Sequence, residues 1–286
     1  MNELLVISGK GGTGKTSLVG AFAALTDNKV LCDADVDAAD LHLIMAPTPR
    51  EQHDFQAGHT AVISAEQCTG CGICRDLCQF DAISDDYVVD PTACESCAVC
   101  VHFCPEKAID FVLNTCGKWF VSDTRFGPMV HARLGIAEEN SGKLVTLVRQ
   151  EAKVLAEQEG RPLILTDGPP GVGCPFIAAI GGATCVLLVT EPTVSGIHDM
   201  QRVVELAAHF NVPVMICVNK WDLNPEMTSS IEDYAREWGL PRAGNIPFDP
   251  IFTKSMVQGQ TIFEYNGRSD AEIAVTKVWE NVMANL

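Results

Sequence analysis

Eight residues near the start of the chain have the types and order needed to bind the phosphates of a nucleotide. They run Gly9-Lys10-Gly11-Gly12-Thr13-Gly14-Lys15-Thr16 and fit the pattern G-x-x-x-x-G-K-[ST] at every fixed position. Glycines let successive backbone N–H groups turn toward phosphate oxygens, and a following helix adds the positive end of its dipole. The side chain of Lys15 is expected at the β- and γ-phosphates and the Thr16 hydroxyl at Mg²⁺. The predicted nucleotide-binding residues here are Gly11, Gly12, Thr13, Gly14, Lys15, Thr16 and Ser17.

The segments on either side predict the elements that must position this loop. Residues Glu3–Ser8 are mostly apolar and read as a buried strand, and Ser17–Leu25 read as a helix. A glycine-rich turn between a strand and a helix can be merely structural. That alternative does not explain the lysine and the threonine, so the context favours a phosphate site.

Acidic residues follow two further predicted strands. One strand runs into the sequence CDADVD, which holds Asp33, Asp35 and Asp37, and a later aliphatic strand ends in Asp167. Carboxylates at strand ends near phosphates suit Mg²⁺ binding and activation of water. We favour Asp33 and Asp37 over Asp35 as catalytic residues, and expect Asp167 near Mg²⁺. A helix N-cap is the alternative, and it explains one aspartate more easily than three.

Eight of the thirteen cysteines form two runs of identical spacing. The first is Cys68-x2-Cys71-x2-Cys74-x3-Cys78, and the second is Cys94-x2-Cys97-x2-Cys100-x3-Cys104 followed by Pro105. This is the bacterial two-cluster ferredoxin pattern, in which the fourth cysteine of each run binds the other cluster. It predicts one 4Fe–4S cluster on Cys68, Cys71, Cys74 and Cys104, and another on Cys94, Cys97, Cys100 and Cys78. Zinc is the alternative for CxxC pairs, but these runs contain no ligand histidine.

Composition changes along the chain predict an interrupted domain. Residues 46–60 are proline-rich, polar and aperiodic, which is typical of a linker. We therefore predict a P-loop ATPase domain in residues 1–58 and 115–286, with a two-cluster ferredoxin domain inserted at 59–114. Strands and helices alternate in the outer segments, which predicts a doubly wound, mostly parallel α/β sheet with ligands at the carboxyl ends of its strands.

The chain resembles one superfamily along almost its whole length. The matching stretches are KGGTGKT, DADVDAADLHL, both cysteine runs, EENSGKLV, DGPPGVGCP, TEPTVSGIHDMQRV and VNKWDLN. They are similar to the MinD/ParA/Mrp P-loop ATPases with a deviant Walker A motif, in particular those that carry an inserted two-cluster ferredoxin domain. This superfamily includes the nitrogenase iron protein. The resemblance implies an ATP-binding homodimer in which Lys10 crosses to the partner subunit's nucleotide. It also implies nucleotide-sensing switches at the CDADVD segment and after Asp167.

The same resemblance assigns the base-binding residues. In MinD-like ATPases an asparagine at a strand end contacts adenine, with help from a later Ile-Pro loop. This assigns Asn219, Lys220 and Pro247 to the base. The segment Asn219-Lys220-Trp221-Asp222 also resembles the NKxD motif of GTPases. GTP is therefore the alternative, because Asp222 could pair with the N1 and N2 donors of guanine.

Charge and hydropathy exclude several classes of partner. The net charge of −17 argues against nucleic acid and anionic membrane surfaces. No apolar run is long enough to span a bilayer, and no signal peptide precedes the first strand, so we expect a cytoplasmic protein. The final helix, Asp270–Asn285, is expected to dock on the sheet through Ala271, Val275, Val278 and Val282.

Two functions follow from these patterns. The first is an ATPase that couples nucleotide turnover to electron transfer from ferredoxin-type clusters to a redox partner. The second is a carrier or assembly factor for an iron–sulfur or mixed-metal cluster, handing it to a cluster-accepting partner. Cys174 favours the second, because it lies seven residues after Asp167, where the nitrogenase iron protein has a cluster ligand. We predict a metal-binding thiol there, and a small buried core residue is the alternative.

Overall fold

The computed structural model describes residues 1–135, 141–265 and 269–286. The chain divides into two compact units: the first comprises Met1–His53, Trp119–Arg133 and Ser141–Leu286, and the second is built on Asp54–Lys118. The predicted insert, residues 59–114, lies within the second unit. The first three residues of the EENSGKLV stretch, 138–140, lie outside the described residues.

The strands of the described residues have the following bounds, in chain order: β1 Asn2–Ser8, β2 Lys29–Asp33, β3 Thr48–Ile63, β4 Ile109–Thr124, β5 Gly127–Leu134, β6 Leu163–Pro170, β7 Cys185–Thr190, β8 Val214–Asn219 and β9 Arg242–Ile246. They form a sheet in the order β3-β4-β5-β2-β6-β1-β7-β8-β9. Every neighbouring pair from β5 to β9 in this order is parallel. The prediction of a mostly parallel α/β sheet is confirmed.

The central strands are apolar because both faces of the sheet are covered. β7 and β8 are buried along their whole length, and β1 is buried at every residue after the first. Continuous burial is typical of parallel strands between two layers of helices. The register pairs Asp33 at the end of β2 with Asp167 in β6. The carboxyl ends of these strands therefore bring the predicted acidic residues together.

The helices of the described residues are α1 Lys15–Leu25, α2 Leu41–Met45, α3 Ile73–Asp76, α4 Val99–Phe103, α5 Ser141–Gln158, α6 Cys174–Ile180, α7 Val194–His209, α8 Pro225–Glu237, α9 Ile251–Val257 and α10 Asp270–Asn285. The last of them has the predicted bounds, and its predicted stripe is buried. It begins where the Ser269 side chain accepts a hydrogen bond from the Glu272 N–H. Within the described residues, no helix is both long and apolar enough to cross a membrane.

The predicted linker at residues 46–60 is wrong, because most of it belongs to β3. β3 stands at the end of the strand order, where an edge strand tolerates a proline such as Pro49 and many exposed polar side chains. Its buried residues, Phe55, Ala57 and Ala61, are separated by even numbers of positions. This two-residue period was the signal of a strand, and the polar composition concealed it.

The second unit has a small core to which its cysteines contribute. Ala61, Cys74, Ile83 and Ile109 form a buried cluster. Ile83 and Val89 form an antiparallel bridge. The Tyr87 hydroxyl donates to the Gly70 carbonyl at 2.6 Å. Further cysteines pack against the cluster, namely Cys78, Cys94, Cys100 and Cys104.

Candidate nucleotide site and paired cysteine cavities

The loop between β1 and α1 depends on two glycines in the left-handed region. Gly12 has a φ of 79° and Gly14 a φ of 90°, conformations that residues with a Cβ rarely adopt. A Cβ at Gly14 would also lie 2.5 Å from the Asn219 Nδ2 atom. Gly14 precedes α1 and supplies no side-chain cap. The N–H groups of the first helical turn therefore remain available to an anion.

Lys15 begins α1 and lies between two carboxylates. Its Nζ atom is 2.8 Å from Asp35 Oδ2 and 3.1 Å from Asp167 Oδ1. Burial disfavours the ammonium, since the residue is only 6% exposed. The charges of Asp167 and Asp35 outweigh that burial and hold the pKa of Lys15 above its ordinary value. The lysine is therefore a fixed positive charge at neutral pH.

Asp33 and Asp167 form a buried acidic pair with unused ligand capacity. Both are fully buried, and within the described residues one oxygen of each, Oδ2, has no hydrogen-bond partner. Burial, and then the charge of Asp167, raises the pKa of Asp33 well above its usual range. Burial also raises the pKa of Asp167, against the opposing effects of Lys15 and the Thr16 hydroxyl. Two free carboxylate oxygens near a hydroxyl fit the oxygen ligands of Mg²⁺.

The structure orders the aspartates after β2 differently from the sequence. Asp35, which we ranked below Asp37, is the one that contacts Lys15. Asp37 is exposed and lies in a turn that begins at Val36. Ser17, a predicted nucleotide-binding residue, is half-buried in the first turn of α1.

Lys10 contacts residues of its own chain that sequence reasoning missed. Its Nζ atom lies 2.5 Å from Glu191 Oε1, 3.1 Å from Ser195 Oγ and 3.3 Å from Thr193 Oγ1. Glu191 also accepts a hydrogen bond from Lys220 at 3.1 Å. Burial would raise the pKa of Glu191, but Lys10 and Lys220 bring it below its ordinary value. The only signal of these contacts in the sequence was that the three residues lie together in TEPTVSGIHDMQRV.

Asn219 and Lys220, which the resemblance assigns to the base, form hydrogen bonds with the phosphate loop. Asn219 Nδ2 donates to the Thr13 carbonyl at 2.7 Å, and Asn219 Oδ1 accepts from the Lys220 N–H at 3.0 Å. Lys220 Nζ donates to the Gly12 carbonyl at 3.0 Å. The end of β8 is therefore attached to the loop between β1 and α1.

The segment that contains Asp222 also contacts the Ile-Pro loop that the resemblance assigns to the base. Asp222 Oδ1 accepts a hydrogen bond from the backbone N–H of Phe248 at 2.6 Å. Phe248 follows Pro247, which the sequence assigned to the base. Asp222 and Pro247 therefore lie in segments that a backbone hydrogen bond holds together.

Each predicted set of four cysteines lines its own cavity in the second unit. The first cavity, of about 20 Å³, is lined by Cys68, Cys71, Cys74 and Cys104. The second, also of about 20 Å³, is lined by Cys78, Cys94, Cys97 and Cys100. Apolar side chains complete both linings, among them Ile63 and Ile109 in the first and Ile83 and Phe111 in the second.

Four cysteines line each cavity, and four cysteines are the donor set of a 4Fe–4S cluster. Among the described residues, no three histidine, cysteine or acidic side chains are grouped closely enough to hold one metal ion. In a 4Fe–4S cluster each of the four cysteines binds a different iron, so the ligands lie further apart than those of a single metal ion. Burial raises the pKa of Cys74, and the charges of Cys68 and Cys71 add to it. The Ala108 N–H donates to Cys104 Sγ at 3.3 Å, a contact that stabilises a thiolate.

Comparison with known proteins decides the family. Residues 4–262 match the model of the CobQ/CobB/MinD/ParA nucleotide-binding domain. The chain belongs to the CobQ/CobB/MinD/ParA family. An uncharacterised protein of Methanocaldococcus jannaschii is 34% identical over 225 residues, which are 78% of this chain and 79% of that protein. This member of the CobQ/CobB/MinD/ParA family therefore has a relative that matches most of its length.

Solved structures agree on the fold. The cell division ATPase MinD of Pyrococcus furiosus superimposes with a TM-score of 0.62 at 17% identity, covering 100% of this chain and 99% of that one. MinD of Pyrococcus horikoshii in complex with Mg-ADP gives 0.59 at 18% identity, covering 98% and 95%. A shorter similarity is to a ferredoxin. Ferredoxin-1 of Chlorobaculum tepidum is 38% identical over 58 residues, which are 17% of this chain and 94% of that protein.

Cys174 lies on the surface of this CobQ/CobB/MinD/ParA-family chain. It is exposed and begins α6, with Pro175 next. A Cβ at Gly142 would lie 3.8 Å from the Cys174 Cβ atom, so α5 begins beside it. The alternative that Cys174 is a small buried core residue is wrong, because its side chain is exposed. The buried cysteines outside the two runs are Cys32, Cys116, Cys185 and Cys217.

Proposed function

We propose that this family member is an ATPase that forms a nucleotide-dependent homodimer and couples ATP turnover to electron transfer from two 4Fe–4S clusters to a partner protein. One observation carries the proposal. Each of the two cysteine sets derived from the ferredoxin pattern lines a single cavity. The same chain holds a phosphate loop whose lysine and acidic residues are in contact.

The nucleotide half of the proposal assigns roles to the clustered polar residues. Lys15 would exchange its carboxylate partners for the β- and γ-phosphates, which are the stronger anions. Thr16, Asp33 and Asp167 would hold Mg²⁺ directly or through water, because they offer a hydroxyl and two free carboxylate oxygens. Asp33 and Asp37 are the candidates to orient the attacking water.

Dimerisation would require a rearrangement around Lys10. In this structure its ammonium is bound to Glu191 of the same chain. To reach the partner subunit's nucleotide, as the family resemblance implies, Lys10 must leave Glu191. The γ-phosphate of ATP in the partner supplies a competing anion of higher charge. We infer that ATP, rather than ADP, favours the dimer.

The cysteine half of the proposal places the electron-transfer groups. Four cysteines would hold each cluster, and the clusters would supply one-electron chemistry at low potential. Apolar side chains make up much of both linings. Cys71 and Cys97 are the exposed members of their sets, and they mark the side from which a redox partner would exchange electrons. The acidic charge of the chain makes nucleic acid and anionic membranes unsuitable partners.

The decisive experiment measures clusters and turnover in one preparation. Protein purified without oxygen should contain about eight irons and eight labile sulfides per chain. Its rate of ATP hydrolysis should change when a low-potential reductant is added. Zinc in place of iron, without an iron–sulfur charge-transfer band, would refute the cluster assignment. Intact clusters with the same turnover in both redox states would refute the coupling alone.

Three lysine variants test the nucleotide half. Lys15→Ala should abolish nucleotide binding, because the phosphates lose a buried cation. Lys10→Ala should bind ATP as the parent does, but lose ATP-dependent dimerisation and turnover. Lys277→Ala, which removes an exposed lysine of α10, is the matched control and should behave as the parent. Native turnover by Lys10→Ala would exclude the role across the dimer.

A role as a cluster carrier or assembly factor is the second candidate, and the exposure of Cys174 favours it. A surface thiol at the start of a helix is more reactive than a buried one. One such thiol from each subunit of a dimer could bind a transferable metal or cluster. Transfer of iron to an acceptor protein, lost in Cys174→Ser with the cubanes retained, would support this candidate over electron transfer.

A further inference from the structure

We propose that Asp222 makes the nucleotide site selective for adenine by occupying the backbone N–H group that guanine would need. The inference rests on the proposed nucleotide site and specifies the base that this site accepts. It reverses the role that the NKxD motif suggests for the same residue. In that motif the aspartate carboxylate would bind guanine.

The segment that holds Asp222 is fixed against the phosphate loop. Lys220 donates to the Gly12 carbonyl, and Asn219 to the Thr13 carbonyl. A nucleotide whose phosphates fill the loop must place its base near this segment, because the loop and the end of β8 are directly bonded. Asn219 uses its amide nitrogen and its amide oxygen for backbone contacts. These two contacts position the loop, and they leave one N–H and one lone pair of the amide for a base.

The neighbouring loop has no free backbone N–H at Pro247 or Phe248. Pro247 has no backbone N–H. The N–H of Phe248 donates to Asp222 Oδ1 at 2.6 Å, a short contact with a charged acceptor. These two residues therefore have two carbonyl oxygens with which a base could pair, and their one N–H is already in use.

The two purines differ at the position that such a loop can distinguish. Adenine carries an amino group at C6, which donates, whereas guanine carries an oxygen, which accepts. Carbonyl oxygens pair with the amino group and repel the oxygen. Guanine would require a free backbone N–H, and Asp222 removes the one that Phe248 has. A carboxylate that bound guanine N1 and N2 would need both oxygens toward the base, while Oδ1 is directed to Phe248.

The two roles predict opposite results for one substitution. Affinities for ATP and GTP, measured with non-hydrolysable analogues and Mg²⁺, should favour ATP in the parent. Asp222→Ala frees the Phe248 N–H, so the ratio should move toward GTP by about 3- to 10-fold, the contribution of one hydrogen bond. Asp222→Asn keeps an acceptor oxygen for Phe248 and should retain the preference for ATP.

A control and a third nucleotide complete the test. The control is Asp249→Ala, which removes a carboxylate of the same loop that accepts a hydrogen bond from the Ile251 N–H at 2.9 Å. The affinities of this variant for ATP and for GTP should change by the same factor. A fall in relative GTP affinity in Asp222→Ala, or an unmoved ratio, would overturn the inference. Gain of xanthosine triphosphate binding by Asp222→Asn would overturn it too, since that exchange marks an aspartate that contacts the base. If the parent binds no nucleotide better than Lys15→Ala, the proposed function fails instead.

Discussion

The two units of this chain support their functional side chains in different ways. In the first unit, Lys15 donates hydrogen bonds to Asp35 and to Asp167, and an extensive apolar core includes Phe22 and Met129. In the second unit, five of the eight cysteines that line the cavities also belong to the core or pack against it. The first site is therefore stabilised by a core that does not include it. In the second unit, ligation and packing depend on the same residues.

This difference predicts that loss of iron affects one unit only. The second unit has about 65 residues, and a core of this size rarely stabilises a fold without metals or disulfides. Chelation of the iron should raise proteolytic cleavage within residues 54–118 by at least about tenfold, which corresponds to about 1.4 kcal/mol of local stability. ATP affinity should remain close to that of the intact protein.

Mass spectrometry of limited digests, with calorimetric titration of ATP, would measure both effects. Chain reconstituted with iron and sulfide after chelation is the control, and it should regain its resistance. A second unit that stays resistant without iron would contradict the comparison, because its packing would then be independent of ligation.

A second prediction concerns a buried ion pair that only the first unit contains. The Arg149 guanidinium makes two 2.8 Å contacts with Glu3 and donates to the carbonyls of Ala178 and Gly181 at 2.9 Å. Arg149→Met leaves the Glu3 carboxylate buried without its main partner. The free energy of unfolding should fall by about 3–5 kcal/mol, while iron content per folded chain stays unchanged.

Denaturant unfolding of the variant would measure this loss. Arg236→Met is the matched control, since its partner Asp233 is also on the surface, and it should cost less than about 1 kcal/mol. Equal effects of the two substitutions would show that burial does not determine the strength of these pairs.

A third prediction is that the charge of Asp33 lowers the free energy of unfolding of the first unit. Its pKa is raised by burial and by Asp167, so the folded chain binds more protons there than the unfolded chain. Stability attributable to Asp33 therefore falls as pH rises from about 4, the unfolded value, to the raised folded value. Asp33→Asn removes this charge and, without Mg²⁺, should raise the free energy of unfolding at pH 8 by about 1 kcal/mol.

Thermal unfolding at several pH values would test this sign. The advantage of Asp33→Asn should vanish near pH 4, where the unfolded parent is also becoming protonated. Mg²⁺ should stabilise the parent more than the variant, and ATP hydrolysis should be lost in the variant. A variant less stable than the parent at pH 8 would show that the Asp33 charge is compensated by the fold.

Local sequence patterns predicted most of the elements and ligand sets of the two units. The bounds of α10 followed from a 3.6-residue period, and both cysteine sets followed from spacing alone. Three features depended on contacts between distant segments. β3 is an edge strand despite its polar residues, and Asp35 rather than Asp37 contacts Lys15. Glu191 pairs with Lys10, although no periodicity or motif links positions 181 apart. Sequence patterns report local geometry, whereas these three require the assembled sheet.

The smallest expected effect is that of Cys174→Ser, and it tests whether thiol chemistry is confined to the second unit. Cys174 is exposed, so its substitution should change the free energy of unfolding by less than about 0.5 kcal/mol. Cys217→Ser, at a fully buried position, is the control and should cost about 1–3 kcal/mol, because a hydroxyl is buried in an apolar core. Iron per dimer then decides the function of the exposed thiol. If two Cys174 side chains bind metal together, the variant loses iron beyond the two cubanes without losing stability. If iron and turnover are unchanged, metal-binding thiols are confined to the second unit, and the first unit contributes only nucleotide chemistry.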